Sequence, residues 1–254
     1  MFKLSRIDYL RRKLMQDLRD ALFGPHYTME GTTFTVPRGG PPAPRKAIAR
    51  GTYEKNERDL VQAHLPRDLP AIELGGSFGI VSHTIRKRLA PGQTLVVVEA
   101  NPGLIQICTG NVNLAGSIAQ THVVNAALAY GAPSVRFKLA ENIHTSHLVF
   151  DGSTGPDIID VPAVSMASLR AAHGIAGRFS LVCDIEGAEL HLLRHDAAAL
   201  AFCDTIVMEL HPTVYPAMGG SLAEVMQRLE KLGFAVVEKR SNVIAACRQS
   251  GTRV

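Results

Sequence analysis

The chain has no apolar run approaching the twenty residues that a membrane-spanning helix needs, so a transmembrane segment is not expected. It shows no signal-peptide hydrophobic core either, and the expectation is a cytoplasmic protein. Cysteine is scarce: Cys108, Cys183, Cys203 and Cys247 form no C-x-x-C pair, and three of them lie in apolar surroundings. That pattern reads as buried thiols in a reducing compartment and not as a disulfide framework. Charge of one sign is also missing. There are 27 basic against 23 acidic residues, a formal +4, with no long like-charge block. Short clusters such as Arg11-Arg-Lys13, Arg86-Lys-Arg88 and Lys239-Arg240 read as solvated helix faces or turns. Without a basic groove or aromatic stacking motifs, no nucleic-acid partner is expected. What remains, at 254 residues, fits one large α/β domain with a full core.

Four polar or glycine-rich segments each follow a predicted parallel strand: Glu73-Leu-Gly-Gly-Ser-Phe-Gly79, Val97-Val-Glu-Ala-Asn-Pro102, Asn125-Ala-Ala-Leu128 and Cys183-Asp-Ile-Glu-Gly-Ala-Glu189. Strand ends of this kind share one edge of a sheet, where open α/β folds bind small cofactors. Glycines at a strand-to-helix turn let the backbone approach a ligand with no Cβ in the way. Glu99, about twenty residues on and closing its own strand, can accept hydrogen bonds from both hydroxyls of a ribose. The dinucleotide spacing G-x-G-x-x-G is absent, because the glycines fall at 75, 76 and 79. Glu73 beside the turn would repel a pyrophosphate and suits a cationic amino-acid end. A ligand with an adenosine and a charged methionine end therefore fits better than NAD.

Taken in order, Glu73-Leu-Gly-Gly-Ser-Phe-Gly79, Glu99-Ala-Asn-Pro102, Asn125-Ala-Ala-Leu128, Val161-Pro-Ala-Val-Ser165, Asp184-Ile-Glu-Gly-Ala-Glu189 and Glu209-Leu-His-Pro212 resemble the FkbM family of S-adenosylmethionine-dependent methyltransferases over roughly residues 30 to 240. Asp-x-Glu-Gly-Ala-Glu after an apolar strand is the most specific piece. Glu73 stands where the family usually has Asp, Ala100 where Pro is common, and Val182 where Lys often stands. The resemblance implies a class I methyltransferase fold: a Rossmann-like, doubly wound, seven-stranded sheet finishing in an antiparallel hairpin. It further implies S-adenosylmethionine as cofactor and a hydroxyl on a sugar or natural-product small molecule as acceptor.

Two units are expected, residues 1–50 and the methyltransferase domain 51–254. In the first, Ile7, Leu10, Leu14, Leu18 and Leu22 recur at helical spacing until Gly24-Pro25. That apolar stripe should pack on the domain or on a second subunit, which would make the chain a homo-oligomer. Tyr27-Thr-Met29 and Thr33-Phe-Thr-Val36 read as a hairpin, and Arg38-Gly-Gly-Pro-Pro-Ala-Pro44 as a loop. From residue 51 helices and strands alternate, with helices at 52–64, 80–89 and 104–114 and strands at 71–74, 94–99 and 122–125. Residues 134–165 interrupt this with short extended runs at 135–138, 148–150 and 162–165 around a polar loop, an insertion placed to set acceptor specificity. The alternation resumes with strands at 179–183 and 205–209, helices at 188–195 and 222–232, and a closing hairpin 234–238/243–247.

Within this frame, Gly75, Ser77 and Gly79 should face the methionine portion and ribose, with Glu73 near the amino group. Glu99, Ala100 and Asn101 should hold the ribose. Asn125 and Ala126 should lie by the adenine or ribose, although Asn at a strand end is equally a turn residue. Asp184, ending the fourth strand, is the expected active-site acid. Glu186 either caps the next helix or orients the acceptor, and Glu189 satisfies helix-start amides. His211, with an ordinary pKa near 6.5, is either the general base or a turn residue before Pro212. No metal is expected beyond a loose, nonessential site at Asp184, Glu186 and Glu209; the pair His191/His195 lacks a third ligand for zinc. Two other readings stay open. A nicotinamide-dependent oxidoreductase would need a pyrophosphate loop, and a non-catalytic nucleoside-binding protein would dispense with the acids at 184, 186 and 209.

Overall fold

The computed structural model describes residues 6–38, 41–116, 120–139, 147–149 and 154–249. Gly39, Gly40, Phe150, the stretch 151–153 and the side chain of Ile7 lie outside the described residues. Helix α1 (Arg6–Phe23) ends where Gly24 takes φ +75°. It turns its stripe outward: Leu10, Leu14, Leu18 and Leu22 are 54%, 70%, 54% and 68% exposed. The body is met instead by Gln16 and Asp20, the latter ion-paired with Arg45 at 3.2 Å and accepting from the Tyr27 hydroxyl at 2.9 Å. The chain's own domain leaves the stripe uncovered.

The hairpin β1 (His26–Met29) and β2 (Thr32–Thr35) follows as expected. The loop expected at 38–44 is a correction, because helix α2 (Pro42–Ala49) starts inside it. Pro42 and Pro44 sit in the first turn, where backbone N–H groups have no intrahelical acceptor and a missing one costs nothing. Hairpin and α2 cover the main domain through Tyr27, Phe34 and Ile48, which cluster with Tyr53, Phe78 and Ile80. Asn111 pins the hairpin, its amide accepting from Thr35 N and donating to the carbonyls of Thr35 and Phe78.

Helix α3 (Lys55–His64) leads into β3 (Ala71–Leu74), α4 (Ile80–Arg88), β4 (Leu95–Glu99), α5 (Ile105–Asn113) and β5 (Thr121–Asn125). The insertion supplies β7 (Ser134–Lys138), β8 (His147–Leu148) and β9 (Ile158–Val164), which with β6 (Ala127–Leu128) just before it make a small second sheet in the order β6-β9-β7-β8. Next comes α6 (Met166–Ala172), which the sequence reading passed over although Ser165 and Ser168 form a reciprocal capping box at its start. Then follow β10 (Phe179–Cys183), α7 (Glu189–His195), α8 (Ala197–Leu200), β11 (Cys203–Glu209), α9 (Leu222–Lys231), β12 (Phe234–Arg240) and β13 (Val243–Arg248).

The main sheet has seven strands in the order β12-β13-β11-β10-β3-β4-β5, and only β13 runs antiparallel to its neighbours. Its strands are apolar on both faces, as a doubly covered sheet requires. Ile72, Val98, Leu181 and Met208 face α6 to α9, while Ala71, Val97, Val182 and Val207 face α3 to α5. Order reverses between β3 and β10, the crevice at which such sheets bind ligands.

Candidate active site

Register fixes the site. Leu74 pairs with Val98 and with Cys183, Cys183 with Met208, and Glu99 with Asn125. One step beyond those pairs, Asn125, Glu99, Gly75, Asp184 and Glu209 form a single row across five adjacent strand ends. Alternation along each strand aims the row at the α3 side, like Val97, Val182 and Val207 two residues earlier. A cleft opens above it, lined by Gly75, Ser77, Glu99, Asp184 and Glu186 and walled by apolar Leu104, Ala126, Leu128 and Phe137. Ala100 and Asn101 also line it.

The glycine turn is tight because two strand ends nearly touch. Gly75 has φ +95°, and a Cβ there would stand 1.8 Å from the Asp184 carbonyl oxygen. Gly79, φ +76°, backs onto Cys108 in the same way. Glu99 is buried at the centre. Its Oε2 accepts from Ser77 N at 2.7 Å and its Oε1 from Asn101 N at 2.6 Å. Burial pushes its pKa up, and the amides of Asn101, Ser77 and Ala100 pull the other way. A carboxylate has about four acceptor sites, so these amides leave room for a further donor.

Two expected ligand residues sit elsewhere. Glu73 is 2% exposed, one row below Gly75 on the same face, and does not line the cleft. Burial raises its pKa to about 8, so it is a neutral acid at pH 7 and offers no charge to an amino group. Asn125 gives its amide N–H to the carbonyls of Glu99 and Ala100, at 2.9 and 3.0 Å, and so shapes the β4 exit without reaching a base.

At the other end of the row, Asp184, Glu186 and His211 converge. His211 Nε2 lies 3.5 Å from both Asp184 Oδ1 and Glu186 Oε2. Its Nδ1 meets Glu189 Oε1 at 3.1 Å. Glu189 is fully buried and accepts from Ile185 N and Gly187 N, the amides expected for it, while Tyr215 donates to its Oε2 at 3.2 Å. The Tyr215 hydroxyl in turn accepts from His211 N at 2.9 Å. Burial works against a charged imidazole, but the hydrogen bond and charge of Glu189, with Asp184 and Glu186, raise its pKa to about 9. At neutral pH His211 is thus a cation, which corrects the expected base of ordinary pKa. Asp184 is pushed well above the carboxylate range by burial and by Glu209 and Glu54, with His211 opposing.

Glu54, Glu57, Glu189's grip on His211, and Tyr215 were missed in the sequence. Glu54 stands just before α3 in a left-handed conformation, φ +43°, and reaches the cleft; burial and Glu209 lift its pKa to about 7. Nothing local in Gly51-Thr-Tyr-Glu54 signals this. For Glu189 the signal existed, since the whole Asp-Ile-Glu-Gly-Ala-Glu run is acidic at each polar position.

A parallel sheet reversed at β3/β10, a carboxylate at the end of β4 and one inserted antiparallel strand define a Rossmann-like sheet of the class I methyltransferase type. The family model described as the Methyltransferase FkbM domain matches residues 73–236, and the chain belongs to that family. No curated protein matches the sequence. Among solved structures, the chain is similar to magnesium protoporphyrin IX methyltransferase from Synechocystis PCC 6803 with bound SAM: 11% identity, 95% of this chain and 94% of that one, TM-score 0.48. A putative O-methyltransferase from Klebsiella pneumoniae gives 14%, 77% and 80%, with TM-score 0.42. A NADB-Rossmann superfamily protein from Streptococcus agalactiae gives 10%, 76% and 68%, with TM-score 0.45. Likenesses this distant say nothing about substrate. Among the described residues no helix is long and apolar enough to cross a membrane.

Proposed function

We propose that the chain is an S-adenosylmethionine-dependent O-methyltransferase whose acceptor is a hydroxyl of a sugar or natural-product small molecule. The observation that carries this reading is the single row of strand ends, with Glu99 and the glycine turn at one end of one cleft and the Asp184–His211–Glu189 group at the other. The residues fit the cofactor: Gly75 and Gly79 leave open what a Cβ would fill, and Glu99 lines the cleft with a carboxylate that can accept from a ribose hydroxyl. When bound, S-adenosylmethionine supplies a methyl carbon that is already electrophilic on its sulfonium.

What the chain must add is position and one proton acceptor. Leu104, Ala126, Leu128 and Phe137 give a flat base an apolar slot and keep water out. Asp184, 3.5 Å from His211, takes the acceptor's hydroxyl proton. His211, held as a cation by Glu189 and Tyr215, faces Asp184 and favours its ionised state before turnover. The test is transfer of labelled methyl to a panel of small hydroxyl and amine compounds, with Asp184→Asn beside the parent. Hydroxyl acceptors should be labelled, and the variant should lose about a hundredfold or more in kcat, the share of a general base. Labelling of amines alone, or full turnover by the variant, would reject the reading.

A further inference from the structure

We propose that the chain carries a site for one oxygen-ligated divalent cation, built by Glu54, Asp184 and Glu209 with Glu57 closing it, at the acceptor end of the cleft. Carboxylate oxygens of Glu54, Asp184 and Glu209 all lie within 4.8 Å of one another. Opposite ligands of an ion bonded at about 2.4 Å, the length of a calcium–oxygen bond, stand about 4.8 Å apart, so three oxygens no further apart than that can share one ion. The donors come from three separate elements: the start of α3, the end of β10 and the end of β11. Hard oxygen donors without thiol or thioether select this class of ion.

The second observation is Glu57. It is 3% exposed, lines the same small cavity as Glu54 and Glu209, and among the described residues nothing donates a hydrogen bond to its carboxyl. The charges that act on it most strongly are other acids: Asp184, Glu54, Glu73 and Glu209. Asp184 adds a buried Oδ1 that accepts no hydrogen bond. A buried carboxyl is normally partnered, because leaving it bare costs several kcal/mol. The other groups facing the cavity are few, and Lys55, which also lines it, places its ammonium on Asp59 at 2.7 Å. Asn242 donates to Glu209 Oε1 at 2.5 Å, and His211 stands beyond Asp184. Arg58, whose charge reaches Glu54, is turned to Glu30 and to the carbonyls of Tyr53 and Gly51. A divalent cation supplies the missing counter-charge.

In sequence only Asp184, Glu186 and Glu209 point to a loose, nonessential ion site; the fold replaces Glu186 by Glu54 and adds Glu57. A cation there would also lower the pKa of a hydroxyl reaching it, a role that rests on the methyltransferase reading, whereas cation binding does not. The experiment is therefore done on the full chain without S-adenosylmethionine. Calorimetry and thermal melting are run with Ca²⁺, Mg²⁺ and Mn²⁺, and Mn²⁺ is also followed by electron paramagnetic resonance. The parent should bind one ion per chain and melt higher with it. Glu54→Gln and Glu209→Gln should each weaken binding at least about tenfold while folding at least as well, since each removes like-charge repulsion. Glu230→Gln, on the exposed side of α9, should bind as the parent does. Absence of binding by all three ions at 10 mM, or unchanged binding in the Glu54→Gln, Glu209→Gln double variant, would overturn the site. A rise in melting temperature with ethylammonium and with none of the ions would overturn it too, in favour of an amine pocket.

Discussion

Replacing Glu73 by glutamine should make the protein more stable at neutral pH and flatten its pH dependence. The side chain is 2% exposed under α4, and burial lifts its pKa from 4.5 to about 8. Between those values the folded carboxyl holds a proton that the unfolded one has lost, so folding takes up a proton. The contribution is fully present below pH 4.5 and is lost as pH rises toward 8, at about 1.4 kcal/mol per unit. At pH 7, some 2.5 units above the unfolded value, the loss is about 3 kcal/mol, a large part of a typical domain's 5–15 kcal/mol. Glutamine has no proton to lose and escapes it. Urea unfolding followed by circular dichroism at pH 5, 6, 7 and 8 isolates the effect, because every other titrating group is common to both proteins. The two stabilities should nearly coincide at pH 5 and separate in the variant's favour by pH 7. A constant difference across all four pH values would refute the reasoning and mean that Glu73 is ionised in the fold.

Other outcomes follow from the same geometry. Glu99→Gln keeps the shape but loses the charged acceptor, and calorimetry should find S-adenosylmethionine bound roughly tenfold to a hundredfold more weakly, the worth of a hydrogen bond to a charged group. Gly75→Ala must place a Cβ 1.8 Å from the Asp184 carbonyl at φ +95°, so its melting should show a loss of about 3 kcal/mol or more, or no soluble protein. Tyr215→Phe removes a donor to Glu189 and an acceptor for His211 N; kcat should fall while affinity for S-adenosylmethionine, measured by calorimetry, stays within about twofold.

The parts of the fold that the sequence reveals are those whose signals are local. Apolar strands such as 71–74 and 179–183 match to the residue, because a sheet covered on both faces needs continuous apolar runs bounded by turns. The antiparallel finish is legible for the same reason, two apolar runs around a short polar turn. Helices α6 and α8 escape because seven and four residues give too little periodicity to read, and α2 because prolines in a first turn look like loop punctuation. Site residues divide along a similar line. Glu99, Asp184 and the glycine turn are readable as strand ends. Glu73 misleads because its motif position suggests a ligand contact while strand alternation sends it one row deeper, under α4. Glu54 and Glu57 meet Asp184 and Glu209 only through the packing of α3 on β11 and β13. The shift of His211 to about 9 likewise depends on partners some 22 to 27 positions away in sequence, Glu189, Asp184 and Glu186.

The most direct test of the central claim is calorimetry of the purified chain with S-adenosylmethionine, with its demethylated product and, separately, with NAD. One molecule of either methionine-derived ligand should bind per chain, compete with the other and raise the melting temperature, while NAD does neither. Binding of NAD with none of S-adenosylmethionine would contradict the account at its root, since Glu99 and the glycine turn would then serve a different nucleotide.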